Sequence, residues 1–490
     1  MKLASLRWKH LLLGFGLVAS GARAAVSPSE AALASAWARG FRSATNEELR
    51  IRAEAAEKAG LFHVALGERL KISRSGRGTL ADLDRLAKVA FYLDRLEVMP
   101  IAVRAAGATQ IGALPASARI ALAAYALRLG DGSRAARYLP AANELNALPE
   151  GIRAKALHIS AIVDVQRGRL ENAYEKYGAA LAGARRYEAS FARVQRARLL
   201  YDMGRFTPAL EELMGVPKNT PHWFPGVIVA AWSGYRVKDD NLVLGQLMTL
   251  HSPYLMTRFA PETHLLEAAT LFRLCHYESA KRSLQNLKGR YEKLPGLLSR
   301  FKGKYGSRFA QVSSVLNFAR GATGDLQDFT TTEGRMLIDG LLSDETLTEV
   351  DRSLTQASTE MDALERLARE GGASVTAIVN GHRAEIEAAR REYYRNGVKA
   401  IQRRLDKMNR DVGEAMADAV AVEVEVDTRL RNRLVRRQTA VMKEVDFETE
   451  IKKGYEFWPF HGEFWRDEVG GYAFATTDVC AAGERGPESR

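Results

Sequence analysis

The sequence predicts an all-α protein: a superhelix of about seven helical hairpins, then long coiled-coil helices, then a short aromatic-rich C-terminal segment. Three observations predict it. The 490 residues are rich in Ala, Leu and Arg and include only 14 Pro, a balance that favours helix. A pattern of small, turn and large apolar residues recurs every 34 to 38 residues between Ala53 and Leu284. Past that region the apolar residues settle into a heptad.

The first element is a leader. Lys2, Arg7, Lys9 and His10 precede an apolar run from Leu11 to about Gly21 and the triplet Ala22-Arg23-Ala24. This is the layout of a secretory signal over 1–24, cleaved after Ala24. The run is shorter than the roughly 20 residues that cross a bilayer. No Cys stands at the cleavage site for a lipid anchor, and no later run of 18 apolar residues follows. The mature chain is therefore expected in the periplasm without a membrane span, reaching the outer membrane only through partners.

The repeat occupies 25–290. "DVQRGRLENAYEKYGAAL" (Asp164–Leu181) and "LLYDMGRFTPALEELMGV" (Leu199–Val216) share one frame. Gly168, Leu170, Ala173 and Tyr177 correspond to Gly204, Phe206, Ala209 and Leu213, with Ala161 and Ala197 seven residues before each Gly. The frame continues through Ala53, Gly60, Phe62 and Ala65, through Ala123, Gly130, Ala135 and Leu139, and through Ala268, Cys275, Tyr277, Ala280 and Leu284. Weaker copies centre on Ala87, Asp94, Leu96 and Met99, and on Ser233, Asp240, Leu242 and Gly245. The turn positions 60, 94, 130, 168, 204, 240 and 275 are spaced 34, 36, 38, 36, 36 and 35 apart. A small residue inside each helix lets paired backbones approach, the turn residue ends the first helix, and the large residues fill the groove to the next pair.

The small–turn–aromatic–Ala pattern resembles the tetratricopeptide repeat from about Ala32 to Gly289. The resemblance implies a right-handed superhelix whose first helices line a concave face that docks a peptide or partner protein. On this chain that lining is His158, Ile162, Val165, Val194, Arg198, Tyr201, Leu265 and Phe272. Some of these are equally readable as packing between neighbouring helices.

Residues 291–343 read as a basic, Gly-containing transition. Gly303-Lys304 lacks the spacing and preceding strand of a phosphate loop. From 344 to 453 the sequence reads as coiled-coil helices. Val398, Ile401, Leu405, Met408, Val412, Ala415 and Ala419 keep a strict three-four spacing, and Leu430, Leu434, Val441 and Val445 extend the stripe. Gly371-Gly372 and Asn380-Gly381 interrupt it, which favours an antiparallel hairpin over a long parallel dimer. Self-association through the seam stays open. "VAVEVEVDT" (Val420–Thr428) alternates like a strand, but its helical flanks place it in a helix.

The segment 454–480 holds "GYEFWPFHGEFWRDEVGGY", in which seven of nineteen residues are aromatic. Glu463, Asp467 and Glu468 beside Trp458 and Trp465 raise a glycosidase reading, which fails for want of a cleft that sets two carboxyls across a sugar. The stretch reads instead as a cap on the end of the solenoid, with Trp458, Phe460, Phe464, Trp465 and Tyr472 buried against the body or docking a partner. Two cysteines, Cys275 and Cys480, allow one disulfide fastening this cap to the last repeat; two free thiols are the alternative. Residues 481–490 read as a disordered tail.

No catalytic site, metal site or cofactor is expected. The nine histidines show no HExxH or other ligand spacing, and GxSxG, SxxK and GxGxxG after a strand are missing. The net charge of +12 comes from interspersed acids and bases, which fits solvated helix faces better than nucleic-acid binding. The layout and the W-P-F-x-G-E-F-W-R-D-E-x-G-x-Y pattern (Trp458–Tyr472) resemble periplasmic tetratricopeptide proteins of myxobacterial and related deltaproteobacterial envelope machinery, of the gliding-motility type. That resemblance implies a non-enzymatic scaffold or adaptor, with envelope proteins or peptides as partners. A peptidoglycan- or glycan-binding adaptor using Trp458 and Trp465 is the second reading.

Overall fold

Among the described residues of the computed structural model, every regular element is helical. The structure describes residues 26–480 apart from 40–43, 108–109, 183, 185, 306–307, 323, 436–450, 452–453 and 459. The leader, Val441, Val445 and the tail 481–490 lie outside the described residues. Helix α1 (Pro28–Arg39) leads into seven hairpins: α2 (Asn46–Lys58) with α3 (Phe62–Arg74), α4 (Leu80–Tyr92) with α5 (Met99–Ala105), and α6 (Ala116–Arg128) with α7 (Gly132–Tyr138). After the short α8 (Ala142–Asn146) come α9 (Glu150–Gln166) with α10 (Leu170–Leu181) and α11 (Arg186–Asp202) with α12 (Phe206–Met214). The last two are α13 (Trp223–Val237) with α14 (Asp240–Leu250), and α15 (Glu262–Arg273) with α16 (Tyr277–Tyr291).

All seven hairpins turn by the same device. The first helix ends on a left-handed residue, at 60, 94, 130, 168, 204, 238 and 275 in turn. The next N–H then reaches back to a carbonyl of the last turn: Leu61 to Ala56 (2.8 Å), Asp131 to Ala126 (2.9 Å), His276 to Leu271 (2.8 Å). This Schellman closure satisfies carbonyls that the helix end leaves open. Gly occupies four of the seven sites without a Cβ penalty; Asp94, Lys238 and Cys275 adopt it at a cost of about 1 kcal/mol.

The sixth hairpin corrects the sequence register. Its left-handed residue is Lys238 (φ 62°), two positions before the expected Asp240. Counted from Lys238, the interior positions fall on Ala231 and Val243, both wholly buried, rather than on Ser233 and Gly245. Asp239, not Lys238, carried the turn-like chemistry, because its side chain caps α14 by accepting the Leu242 N–H. With this shift the interior residues of all seven first helices (Ala53, Ala87, Ala123, Ala161, Ala197, Ala231, Ala268) are 0 % exposed. So are those of the second helices (Ala65, Met99, Ala135, Ala173, Ala209, Val243, Ala280).

Residues 291–343 continue the helical body as α17 (Leu294–Tyr305), α18 (Phe309–Ala319) and α19 (Thr332–Leu342). Then α20 (Glu345–Glu370) meets α21 (Gly372–Val435), a single helix of 64 residues and about 96 Å. The chain reverses at Gly371-Gly372, where Gly372 is left-handed; Asn380-Gly381 passes without a break. The heptad seam is buried, yet its partner is the body. Val398 to Ala419 share one core with Leu284, Leu287, Phe301, Val312, Met336 and Leu337. At its other end α21 places Val375, Val379 and Ile386 in a core with Leu33, Trp37, Ala56 and Val64. One helix therefore grips the first hairpin and the last.

Buried polar contacts pin this brace. His63 Nδ1 lies 2.9 Å from Glu360, its Nε2 lies 2.8 Å from the Tyr393 hydroxyl, and that hydroxyl donates to Leu93 O (3.0 Å). His382 Nε2 meets Glu68 at 2.8 Å and Nδ1 meets Glu385 at 2.9 Å, with the ring stacked on Trp37. Burial alone would lower the His382 pKa, but the two carboxylates raise it above its usual value. Lys281 and Lys288 pair with Asp427 (2.7 Å) and Glu423 (2.5 Å) near the far end.

Candidate functional site

Two cavities carry the residues of interest. The first, about 290 Å³, lies on the inner face between hairpins four and five and the start of α20. First-helix positions of α9 and α11 supply His158, Tyr187 and Phe191, α10 supplies Tyr177, and α20 supplies Glu345, Glu349 and Arg352. Its wall is aromatic: His158 meets Phe191 edge-on at 4.8 Å and bonds the Tyr177 hydroxyl through Nδ1 at 2.8 Å. Burial pushes the His158 pKa down to about 4, with the Lys155 charge adding to the effect. Lys155 is itself engaged by Glu349 at 2.7 Å, while Glu188 presents a buried carboxylate oxygen with no hydrogen-bond partner.

The sequence-predicted concave residues divide between this open face and the core. His158 lines the cavity, Arg198 is exposed beside it, Val165 is 40 % exposed, and Ile162 and Tyr201 are half-buried. Val194 is buried and packs toward Gly226. Leu265 and Phe272 pack against the core shared with α21, because the long helix covers that end of the inner face. Tyr187 and Phe191 were not singled out from sequence; their signal is helical spacing from Val194 and Arg198 on α11.

The second cavity, about 710 Å³, is built by the C-terminal segment. Phe460, Phe464 and Phe474 form one wall; α14, α15 and α16 form the other with Met248, His264, Glu267, Arg282, Ser283 and Asn286. The segment lies down through its backbone. Phe474 N–H donates to Asn241 O (3.0 Å), Val479 N–H to Leu274 O (3.1 Å), Gly470 N–H to the Thr249 hydroxyl (3.1 Å), and Thr477 O accepts from His276 (2.8 Å). Gly245 makes the approach feasible: a Cβ there would stand 2.0 Å from Tyr472 O. Cys275 and Cys480 are joined, with S–S 2.02 Å.

The aromatic side chains themselves are not buried, which corrects the expectation of an aromatic plug. Trp458 is 62 % exposed, Phe460 49 % and Trp465 44 %. Phe464 and Tyr472 are half-buried beside them, with Trp458 edge-on to Trp465 at 5.8 Å, Phe460 to Phe464 at 5.2 Å, and Phe464 to Tyr472 at 6.2 Å. The physical reason is that extended backbone, glycines and two buried valines, Val469 and Val479, seat the segment. Glu463 accepts the His461 N–H (2.9 Å), Asp467 and Glu468 are exposed, and none of the three lines either cavity.

At the base of the second cavity, His251 and His264 stack with ring centroids 4.0 Å apart. Burial, with His251 adjacent, drives the His264 pKa down to about 3. Burial would raise the Glu267 carboxyl, but His251 and the Ser283 hydroxyl (2.5 Å) hold it below its usual value.

No family model matches the chain, and no curated protein matches it. Among solved structures, the TPR domain of P58(IPK) is 12 % identical, covers 70 % of this chain and 99 % of its own, and has a TM-score of 0.19. The APC/C hetero-tetramer Cut9-Hcn1 is 12 % identical, covers 82 % and 90 %, and has a TM-score of 0.25. Likenesses of that size carry no argument about function, and the fold stands on its own seven hairpins.

Proposed function

We propose that the chain is a non-enzymatic scaffold of the cell envelope that holds a protein segment on the inner face of hairpins four and five. One observation carries this reading. The brace packs on the first and last hairpins but leaves an aromatic-walled cavity of about 290 Å³ open between α9, α11 and α20. A site of that size accepts one or two side chains of a partner, at the lower edge of what small-molecule sites occupy. The periplasmic placement rests on the leader, on the pair Cys275–Cys480, which suits an oxidising compartment, and on the closing aromatic pattern. Among the described residues no helix is long and apolar enough to cross a membrane. Assembly of an envelope complex, motility-related or adhesive, is the role this reading assigns.

Site-specific photo-crosslinking in the native host tests it. A crosslinker at Tyr187 or Val165, both exposed on the inner-face helices, is expected to trap the same envelope protein. One at Met214, exposed at the end of α12, is expected to trap none. Equal yields at the three positions, or no adduct at the first two, count against the scaffold reading.

A second reading is favoured by the surface row of Trp458 and Trp465: a glycan- or peptidoglycan-binding adaptor in which these rings stack on sugars. Retention on purified sacculi that disappears in Trp465→Ala would favour it over the inner-face reading.

A further inference from the structure

We propose that His251, His264 and Glu267 form a binding site for one divalent transition-metal ion of the zinc class, opening onto the larger cavity. The donor set is two imidazoles and one carboxylate, a combination that zinc accepts while leaving positions for water or a ligand donor. One donor atom from each lies within 4.8 Å of the others. His251 Nδ1 is 3.6 Å and His264 Nδ1 is 4.0 Å from the same Glu267 oxygen, Oε2. A tetrahedral ion with bonds of about 2.0–2.1 Å needs donors about 3.3 Å apart, so both pairs stand within an ångström of that separation.

Three further observations point to a ligand here. First, His264 is only 4 % exposed, and both its ring nitrogens lack a hydrogen-bond partner. A buried imidazole with two unsatisfied nitrogens is costly, and an ion removes part of that cost. Second, the surroundings orient the donors. The Thr263 hydroxyl donates to Ala260 O (2.7 Å), so toward His251 Nε2 (3.0 Å) it accepts, which leaves the Nδ1 lone pair of the neutral ring on the Glu267 side. The Ser283 hydroxyl sits 2.5 Å from Glu267 Oε2. Such outer partners are what fix the direction of metal-ligating side chains. Third, the cavity gives access from solvent and room to move.

Room matters, because the stacked rings are nearly parallel, 12° apart, and two parallel planes do not meet at one ion. One imidazole must turn out of the stack on binding. His264 also lines the cavity and its ring nitrogens hold no partner, so it is the ring that turns while Thr263 keeps His251 in place. Of the neighbouring cations, Arg290 donates to Met256 O (2.8 Å) and Arg282 to the Ser279 hydroxyl (2.9 Å). A His251–Glu267 contact without an ion would explain 3.6 Å, but not the two orphaned nitrogens of His264.

The test uses the full mature chain without a polyhistidine tag, stripped with a chelator, then titrated with zinc and with cobalt(II). The expected result is one equivalent per chain, with intense visible cobalt bands of a tetrahedral site. His264→Ala and Glu267→Gln are each expected to weaken zinc binding by at least about 100-fold, and Thr263→Val by about 10-fold. His461→Ala, which removes the exposed His461–Glu463 pair, is expected to leave binding unchanged. Should His264→Ala fail to fold by circular dichroism, Glu267→Gln, close to its parent in shape, decides alone. Less than half an equivalent in the parent chain overturns the proposal, and so does binding that survives both ligand substitutions.

Discussion

Gly245 shows how one missing methyl group decides where the C-terminus lies. A Cβ there would meet backbone, Tyr472 O at 2.0 Å and Ala473 Cα at 2.7 Å, which cannot swing aside as a side chain can. Gly245→Ala is expected to cost about 1–3 kcal/mol and to lift the segment from α14. Faster amide exchange at Phe474 and Gly470 would register it, and unchanged exchange would show that the segment is held elsewhere. A second consequence at this scale is acid sensitivity. The folded-state pKa of His158, about 4, lies below the ordinary 6.5. The unfolded chain therefore binds the extra proton, and this stabilisation is complete above about pH 6.5 and falls as pH drops toward 4. His158→Gln should flatten the upper part of that acid slope in thermal midpoints. The buried alanines were legible in the sequence because repetition marks them, whereas Gly245 was taken for a repeat position. Its true partner is a segment more than 200 residues away, and no local pattern carries that information. His251 and His264 were unreadable for the same reason, although His264 and Glu267, three apart on α15, share a helix face.

The long helix and the C-terminal segment were read correctly as elements and less well as neighbours. A three-four spacing establishes a buried stripe on a helix, and the stripe from Val398 to Ala419 is buried. What lies opposite depends on the geometry of seven preceding hairpins, and it proves to be α16–α19 rather than another coil. Leu405→Ala, at the centre of that contact, is expected to destabilise by about 2–5 kcal/mol through transfer and cavity terms. Chemical denaturation checks the size. A loss below 1 kcal/mol would mean that the helix packs loosely on the body. The aromatic stretch misled in the opposite direction, since hydrophobic composition suggested burial while the backbone does the seating. Reducing the protein, or Cys480→Ser, is expected to expose the segment 469–480 to limited proteolysis while the thermal midpoint of the hairpins moves little. A wholesale loss of helix on reduction would contradict that division of labour.

Across the whole molecule, the solenoid and the brace stabilise each other through different chemistry at the two ends. The far end is mostly apolar with ion pairs outside, and the near end carries His382 between Glu68 and Glu385. Because the folded His382 pKa lies above its usual 6.5, its contribution is complete below about pH 6.5 and declines as pH rises through the raised value. The stability difference between the parent chain and His382→Gln should therefore shrink as pH rises above about 6.5. A difference that grows with rising pH would assign the proton to the wrong partner. The single helix from Gly372 to Val435 has a further consequence. Repeat proteins commonly gain or lose units by duplication, since each unit touches only its neighbours. Here the first and last hairpins are tied to one rod of about 96 Å, so inserting or deleting a hairpin would carry one end off its docking place on the rod. The rod acts as a gauge, and it fixes the number of repeats that this lineage can carry unless the helix changes length in the same step.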